Sequence, residues 1–251
     1  MIKAGIVGGT GYVAGELLRC LINHPQIEID FIYSHSQPGN TIASAHSDLF
    51  HTDLKFTDQV NEQVDVVFLS LGHGKSKAFL KKYPFSSNTK VIDLSNDFRL
   101  QADAQFQGRD FVYGLIELNK PAIQKAQNIA NPGCFALCTQ LALLPFSEVI
   151  TSASINAITG SSGGGKEPTI KNHHSTRSKD MFSYGINTHR HLAEIIQSYP
   201  NLKDSLMDVV VEQMCRGAVG GQVQGAGQVS HWSTDVPPPT HLTSPHPGLA
   251  A

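Results

Sequence analysis

The 251-residue chain carries 19 Lys plus Arg against 21 Asp plus Glu, a formal net charge of −2, with 40% hydrophobic and 16% charged residues. That balance excludes a whole-chain field able to draw in nucleic acid or an anionic membrane, and leaves a small-molecule partner as the expectation. Apolar runs such as Leu141 to Phe146 fall far short of the roughly 20 residues of a bilayer crossing, and no charged-then-apolar leader opens the chain, so a cytoplasmic protein is expected.

The opening reads as one βαβ unit. Lys3 to Val7 is an apolar strand, glycines follow, and Tyr12 to Ile22 sets Leu17, Leu18, Leu21 and Ile22 at helical spacing. Pro25 ends that helix and Ile27 to Tyr33 gives the second strand. Val64 to Leu71 and Val91 to Leu94 are apolar runs of the kind found in parallel strands buried on both faces. The expected fold is therefore α/β: a doubly wound parallel sheet of the Rossmann type over residues 1–130, with right-handed crossovers.

A boundary is expected near Asn131. Beyond it, Cys134 to Phe146 is helical with Leu137, Leu141 and Leu144 on one face, Ser154 to Thr159 is a strand, and Gly160 to Gly165 a glycine-rich loop. Thr188 to Tyr199 reads as a helix with Thr188 as N-cap. Residues 131–216 are thus expected to form a second, α+β domain. From Gly217 to 251 the glycines and prolines leave no usable periodicity, and a poorly ordered tail is expected.

Four features carry chemistry. Gly8-Gly9-Thr10-Gly11-Tyr12-Val13-Ala14-Gly15 follows a strand and opens a helix, whose N-terminal N–H groups suit the pyrophosphate of a dinucleotide. The second strand ends Tyr33-Ser34-His35-Ser36 with no acid after Asp30, which favours NADP over NAD, because a carboxylate there would repel a 2′-phosphate. Cys134, directly after Asn131-Pro132-Gly133 at a helix start, has the setting of a nucleophile, with its thiolate facing free N–H groups. Cys138, one turn on, reads as a small core hydrophobe rather than a redox partner, and Cys20, Cys138 and Cys215 as reduced thiols. His189 and His191 flank Arg190 with Glu194 a turn onward. Spacing alone does not choose between them as proton carrier. These histidines lack the companions of a zinc site, so no metal is expected. Arg99, in Asp93-Leu94-Ser95-Asn96-Asp97-Phe98-Arg99, follows a strand end and suits a carboxylate or phosphate.

Taken in order, GIVGGTGYVAGELLR (5–19), SHSQPGN (34–40), LGHGKS (71–76), DLSNDFRL (93–100), YGLIELNK (113–120), NPGCFALCTQLALLP (131–145), ITGSSGGGK (158–166) and HRHLAEI (189–195) resemble the N-acetyl-γ-glutamyl-phosphate reductases, relatives of aspartate-semialdehyde dehydrogenase. The resemblance implies NADPH-dependent reduction of N-acetylglutamyl 5-phosphate to the 5-semialdehyde, a step of arginine biosynthesis, in a homo-oligomer. It implies Cys134 as nucleophile and His189 as acid/base, with His191 as second choice. Arg99, Ser161 and His191 would then bind substrate, and Gly8, Thr10, Gly11, Tyr12, Val13, Ser34 and Ser36 would bind NADP.

The resemblance fades after residue 208: Met214-Cys215-Arg216-Gly217 only echoes a PMxRG segment, and the chain reads as a truncated or altered version of the family, with lowered stability expected. Two alternatives follow. One is an inactive NADP-binding remnant. The other is a sister acyl-phosphate reductase for N-succinylglutamyl, aminoadipyl or aspartyl phosphate.

Overall fold

A computed structural model describes residues 1–170, 173, 181–214 and 228–231. The expectations for Cys215 and for all of the tail except 228–231 lie outside the described residues.

The first 130 residues give β1 (Ile2–Val7), α1 (Tyr12–Leu21), β2 (Ile27–Tyr33), β3 (Val66–Leu69), α2 (Ser76–Lys82), β4 (Lys90–Asp93), β5 (Gln105–Phe106), β6 (Arg109–Tyr113), α3 (Ile116–Lys125) and β7 (Asn128–Ala130). They form one sheet in the order β2-β1-β3-β4-β7-β6-β5. All neighbours are parallel except β5, which pairs antiparallel with β6 at the edge. Successive β1 residues feed opposite cores: Ile6 packs with Ala14, Leu18 and Leu21 of α1, and Val7 with Phe79 and Leu80 of α2. The sheet is therefore covered on both faces, as its continuous apolar strands require. Strand order reverses between β2-β1 and β3-β4, and the crevice above such a switch point is where open α/β sheets receive ligands.

The rest of the chain supplies α4 (Cys134–Leu143), β8 (Ala153–Gly160), β9 (Met181–Tyr184), α5 (Leu192–Ser198), β10 (Leu206–Met214) and β11 (Gln228–His231). Its sheet runs β11-β8-β10-β9, mixing one parallel with two antiparallel pairings. Phe135, Ala136 and Leu143 of α4 and Ile195 of α5 close a core over Ala153, Ile155 and Ala157 of β8.

Three elements differ from expectation. The helix expected from Thr188 starts at Leu192, with His191 in the N-cap position. Asn187 and Gly185 lie in the left-handed region, at φ 51° and 65°, and the turn they make moves the N-cap three residues on, from Thr188 to His191. The helix from Cys134 tightens to 3-10 geometry at Leu144–Phe146, where Pro145 enters. In the tail, Gln228–His231 form a strand antiparallel to β8.

Candidate functional site

The glycine loop sits at the switch point of the larger sheet. The N–H groups of Gly8 and Gly9 both reach the Tyr33 carbonyl at the end of β2, at 3.1 and 2.9 Å. Gly8 has φ +83°, and any Cβ there would meet the backbone oxygen of Ser70. Gly11 is the N-cap of α1, with no side-chain capping bond and no acid in the first turn. Tyr12 and Val13 are exposed while Ala14 and Gly15 are buried, and Thr10 and Gly11 lie between. The helix start is thus uncapped, free of carboxylates and open, which fits the phosphates of a dinucleotide.

The tip of β2 holds Ser34, buried, and Ser36, exposed, with their hydroxyl oxygens 3.4 Å apart. Ser34 Oγ also accepts the Gln37 N–H at 3.3 Å. Asp30 lies back along the strand, where it takes the Asn61 amide at 3.0 Å. The sequence reading missed His46. It is buried, its Nε2 donates to the Gly9 carbonyl at 2.8 Å, and a Cβ at Gly15 would stand 2.6 Å from its Nδ1. Nothing near the glycine motif signals a support 37 positions away. Lys166, from the second glycine loop, donates to the Thr10 carbonyl at 3.4 Å.

Cys134 is the first residue of α4 and is exposed, whereas Cys138 is half-buried. Gly133 before it is held by Glu194 from α5, whose Oε2 accepts the Gly133 N–H at 2.9 Å and the Tyr113 hydroxyl at 2.8 Å. The same carboxylate pairs through Oε1 with Arg99 Nη1 at 3.1 Å, both side chains being almost fully buried. Gln140 Nε2 completes the cluster by donating to the Tyr113 oxygen at 2.8 Å. Burial, then the Glu194 charge, pushes the Tyr113 phenol far above its ordinary range, so it stays a donor. A Cβ at Gly133 would meet His191 Nε2, and would stand 2.8 Å from Arg99 Nη1.

Arg99, after the end of β4, also bonds within the chain. Its Nε donates to the Asn131 carbonyl at 2.8 Å and its Nη2 to the Leu94 carbonyl at 3.2 Å, with Nη1 on Glu194. Three of the guanidinium's five N–H groups thus tie the two sheets together. The little of Arg99 left open borders a cleft of about 410 Å³ shared with Tyr113 and Gln197, not the cleft beside His189.

That other cleft, of about 320 Å³, is lined by Thr159, Tyr184, Thr188, His189 and Arg190 with four glycines among them. Ser161 is half-buried in the 3-10 turn that follows β8, beside this cleft's glycines. The ring of Phe135, next to Cys134, meets His189 edge-on at 5.0 Å between centroids, and Cys134 interacts electrostatically with Tyr184 in the cleft wall. His189 and His191 stand 4.7 Å apart, ring to ring, but only His189 lines the cleft. His191 is 3% exposed and its Nδ1 has no partner. Burial, then the charge of Arg190, lowers His189 to about 4, while burial, then His189, lowers His191 to about 3. His189 Nδ1 accepts the His191 N–H at 3.2 Å, which leaves the ring proton on Nε2.

Two family models match the chain: semialdehyde dehydrogenase, NAD binding domain, over residues 3–126, and semialdehyde dehydrogenase, dimerisation domain, over residues 134–219. The N-acetyl-gamma-glutamyl-phosphate reductase of Flavobacterium johnsoniae is 50% identical over 208 residues, 81% of this chain and 64% of that protein. Those of Christiangramia forsetii and Bacteroides thetaiotaomicron are 44% and 46% identical, over 81% and 82% of this chain and 63% and 64% of theirs. The match thus spans just under two thirds of these relatives' length. Among solved structures, aspartate semialdehyde dehydrogenase II from Vibrio cholerae, complexed with ASA, superposes with a TM-score of 0.63 at 16% identity, covering 85% of this chain and 70% of that one. Aspartate semialdehyde dehydrogenase with NADP from Candida albicans gives 0.59 at 16%, covering 86% and 68%. These two likenesses show the fold; the chain belongs to the semialdehyde dehydrogenase family, whose two domain models match residues 3–126 and 134–219.

Proposed function

We propose that this chain is the catalytic part of an NADPH-dependent reductase that converts N-acetyl-L-glutamyl 5-phosphate to N-acetyl-L-glutamate 5-semialdehyde and phosphate, in arginine biosynthesis. The observation that carries the reading is Cys134. It is an exposed thiol at the first residue of α4, with the Gly133 amide before it fixed by a buried carboxylate and the His189 cleft beside it.

Cys134 reacts as a thiolate facing the uncapped N–H groups of α4. Its Sγ adds to the acyl carbon, the C–O bond to phosphate breaks, and phosphate departs with that electron pair, leaving a thioester on Cys134. When bound at the glycine loop, the reduced nicotinamide supplies the hydride that this thioester needs. The acyl oxygen then becomes negative, and His189, which the resemblance gives as acid/base, is assigned instead to hold that oxygen through Nε2–H, its ring being neutral well above about 4. As the C–S bond breaks and the carbonyl re-forms, Sγ regains its electron pair and Nε2 keeps its proton. His191, fully buried, supports His189 and contacts no substrate.

The NADP preference rests on the serine tip of β2, where no carboxylate stands among Tyr33 to Ser36. The match of residues 134–219 to a dimerisation domain supports a homo-oligomer. Among the described residues no helix is long and apolar enough to cross a membrane, and a cytoplasmic location accords with the biosynthetic step. The test is Cys134→Ser, which should abolish turnover and leave the NADPH affinity unchanged.

A further inference from the structure

We propose that His46 is a positioning residue for the dinucleotide: by holding the Gly9 carbonyl, it turns the next N–H of the glycine loop toward the cofactor's phosphates. The inference rests on the cofactor site of the reading above and adds to it a residue outside the glycine motif.

His46 is 6% exposed and stands between two 3-10 turns, Ile42–Ser44 and Ser47–Leu49. Its backbone is fixed at both ends, since its N–H donates to the Ile42 carbonyl and its carbonyl accepts the Leu49 N–H, each at 2.9 Å. Asp48 anchors the same stretch to α1, its oxygens lying 2.7 and 2.8 Å from Arg19 Nε and Nη2. From that base the ring reaches back to the Gly9 carbonyl at 2.8 Å. A carbonyl only accepts, so Nε2 carries the proton. Gly15 makes room for the ring, because a Cβ there would stand 2.6 Å from Nδ1.

Gly9 is held at both of its peptide groups. Its N–H donates to the Tyr33 carbonyl at 2.9 Å, and a Cβ on it would press into Ile32 and Phe56. Among the described residues every peptide bond is trans, and in a planar trans peptide the N–H of the following residue points opposite to the carbonyl. With the Gly9 carbonyl turned in to His46, the Thr10 N–H is turned away from the buried ring. It comes just before Gly11, the uncapped start of α1, where the phosphates of a dinucleotide fit. Without the imidazole donor the Gly9 carbonyl loses its buried partner. Rotating that peptide to find another carries the Thr10 N–H off its aim.

The experiment uses the full chain, first titrated with NADPH and then turned over with NADP, inorganic phosphate and N-acetylglutamate semialdehyde. His46→Phe keeps a ring and removes the donor, and should raise the NADPH Kd and the KM for NADP about fivefold to tenfold, the worth of one hydrogen bond. The kcat at saturating NADP and the KM for semialdehyde should stay within about twofold. His46→Gln offers an amide N–H at similar reach and should restore most of the affinity. A chain merely loosened by the substitution loses kcat through its active fraction and keeps its KM for NADP. Gly15→Ala leaves His46 in the sequence but crowds its Nδ1, so it should raise the KM for NADP in the same way, and it serves where His46→Phe does not fold. An unchanged KM for NADP in an active His46→Phe or Gly15→Ala overturns the inference, as does a glutamine variant no better than the phenylalanine one. A wild type that binds no NADPH overturns the cofactor reading instead.

Discussion

Glu194 accepts the backbone N–H of Gly133 at 2.9 Å across 61 positions of sequence, and the same carboxylate neutralises Arg99, 95 positions away. The residue before the nucleophile, the second sheet's helix and the loop after β4 are thus tied at one buried charge. A carboxylate suits this place because it accepts from three donors at once, Arg99, Tyr113 and Gly133.

Removing that carboxylate should leave an unpaired buried guanidinium. Glu194→Ala is expected to cost about 3–5 kcal/mol, read as a lowered urea midpoint at unchanged slope. The double variant Arg99→Met with Glu194→Leu should recover part of the loss. An unaltered midpoint in Glu194→Ala would show that the tie carries no stability.

Gly133→Ala tests the geometry in front of the nucleophile. The new methyl would meet His191 Nε2 and Arg99 Nη1, so the loop must shift, and a displacement of about 1 Å costs on the order of 100-fold in turnover. NADPH titration should remain near wild type, since the glycine loop lies elsewhere.

Gly8→Ala tests the cofactor loop. At φ +83° an L-residue is strained by about 1–2 kcal/mol, and its Cβ would strike the Ser70 backbone. Fluorescence titration should show NADPH affinity reduced by about tenfold or more, with the loss exceeding any change in semialdehyde KM.

The pH dependence of stability follows from the two buried imidazoles. Folded, they titrate near 4 and 3 against an ordinary 6.5, so as pH falls from about 6.5 the unfolded chain takes up protons the native one refuses. Stability should drop through that window, reaching its floor once both native rings charge. The urea midpoint followed from pH 7 to 4 should fall, and His191→Gln should flatten the fall. A midpoint level over this range would contradict the neutral burial of both rings.

What could be read from sequence was what is local. The glycine loop lies between a strand and a helix adjacent in the chain, and NPGC carries its turn and helix start within four residues, so both were legible. The tie that Arg99 makes was not legible because its acceptors, Asn131 and Glu194, lie 32 and 95 positions off. His46 left no signal, since its partner is a backbone carbonyl. The edge pair β5 and β6 escaped notice because β5 is two residues long, and α3 because Pro121 and the break at Asn119 interrupt its pattern. β9 and β10 are specified by pairing across a sheet rather than by their own alternation.

The central claim is cysteine-dependent acyl-phosphate chemistry, and one assay meets it directly. Purified protein with NADP, phosphate and N-acetylglutamate semialdehyde should form NADPH, seen by its absorbance, while Cys134→Ser forms none yet binds NADPH as the wild type does. Equal NADPH formation by the serine variant would contradict the nucleophile. No formation by a folded wild type that binds NADPH would contradict the reductase and leave a cofactor-binding protein.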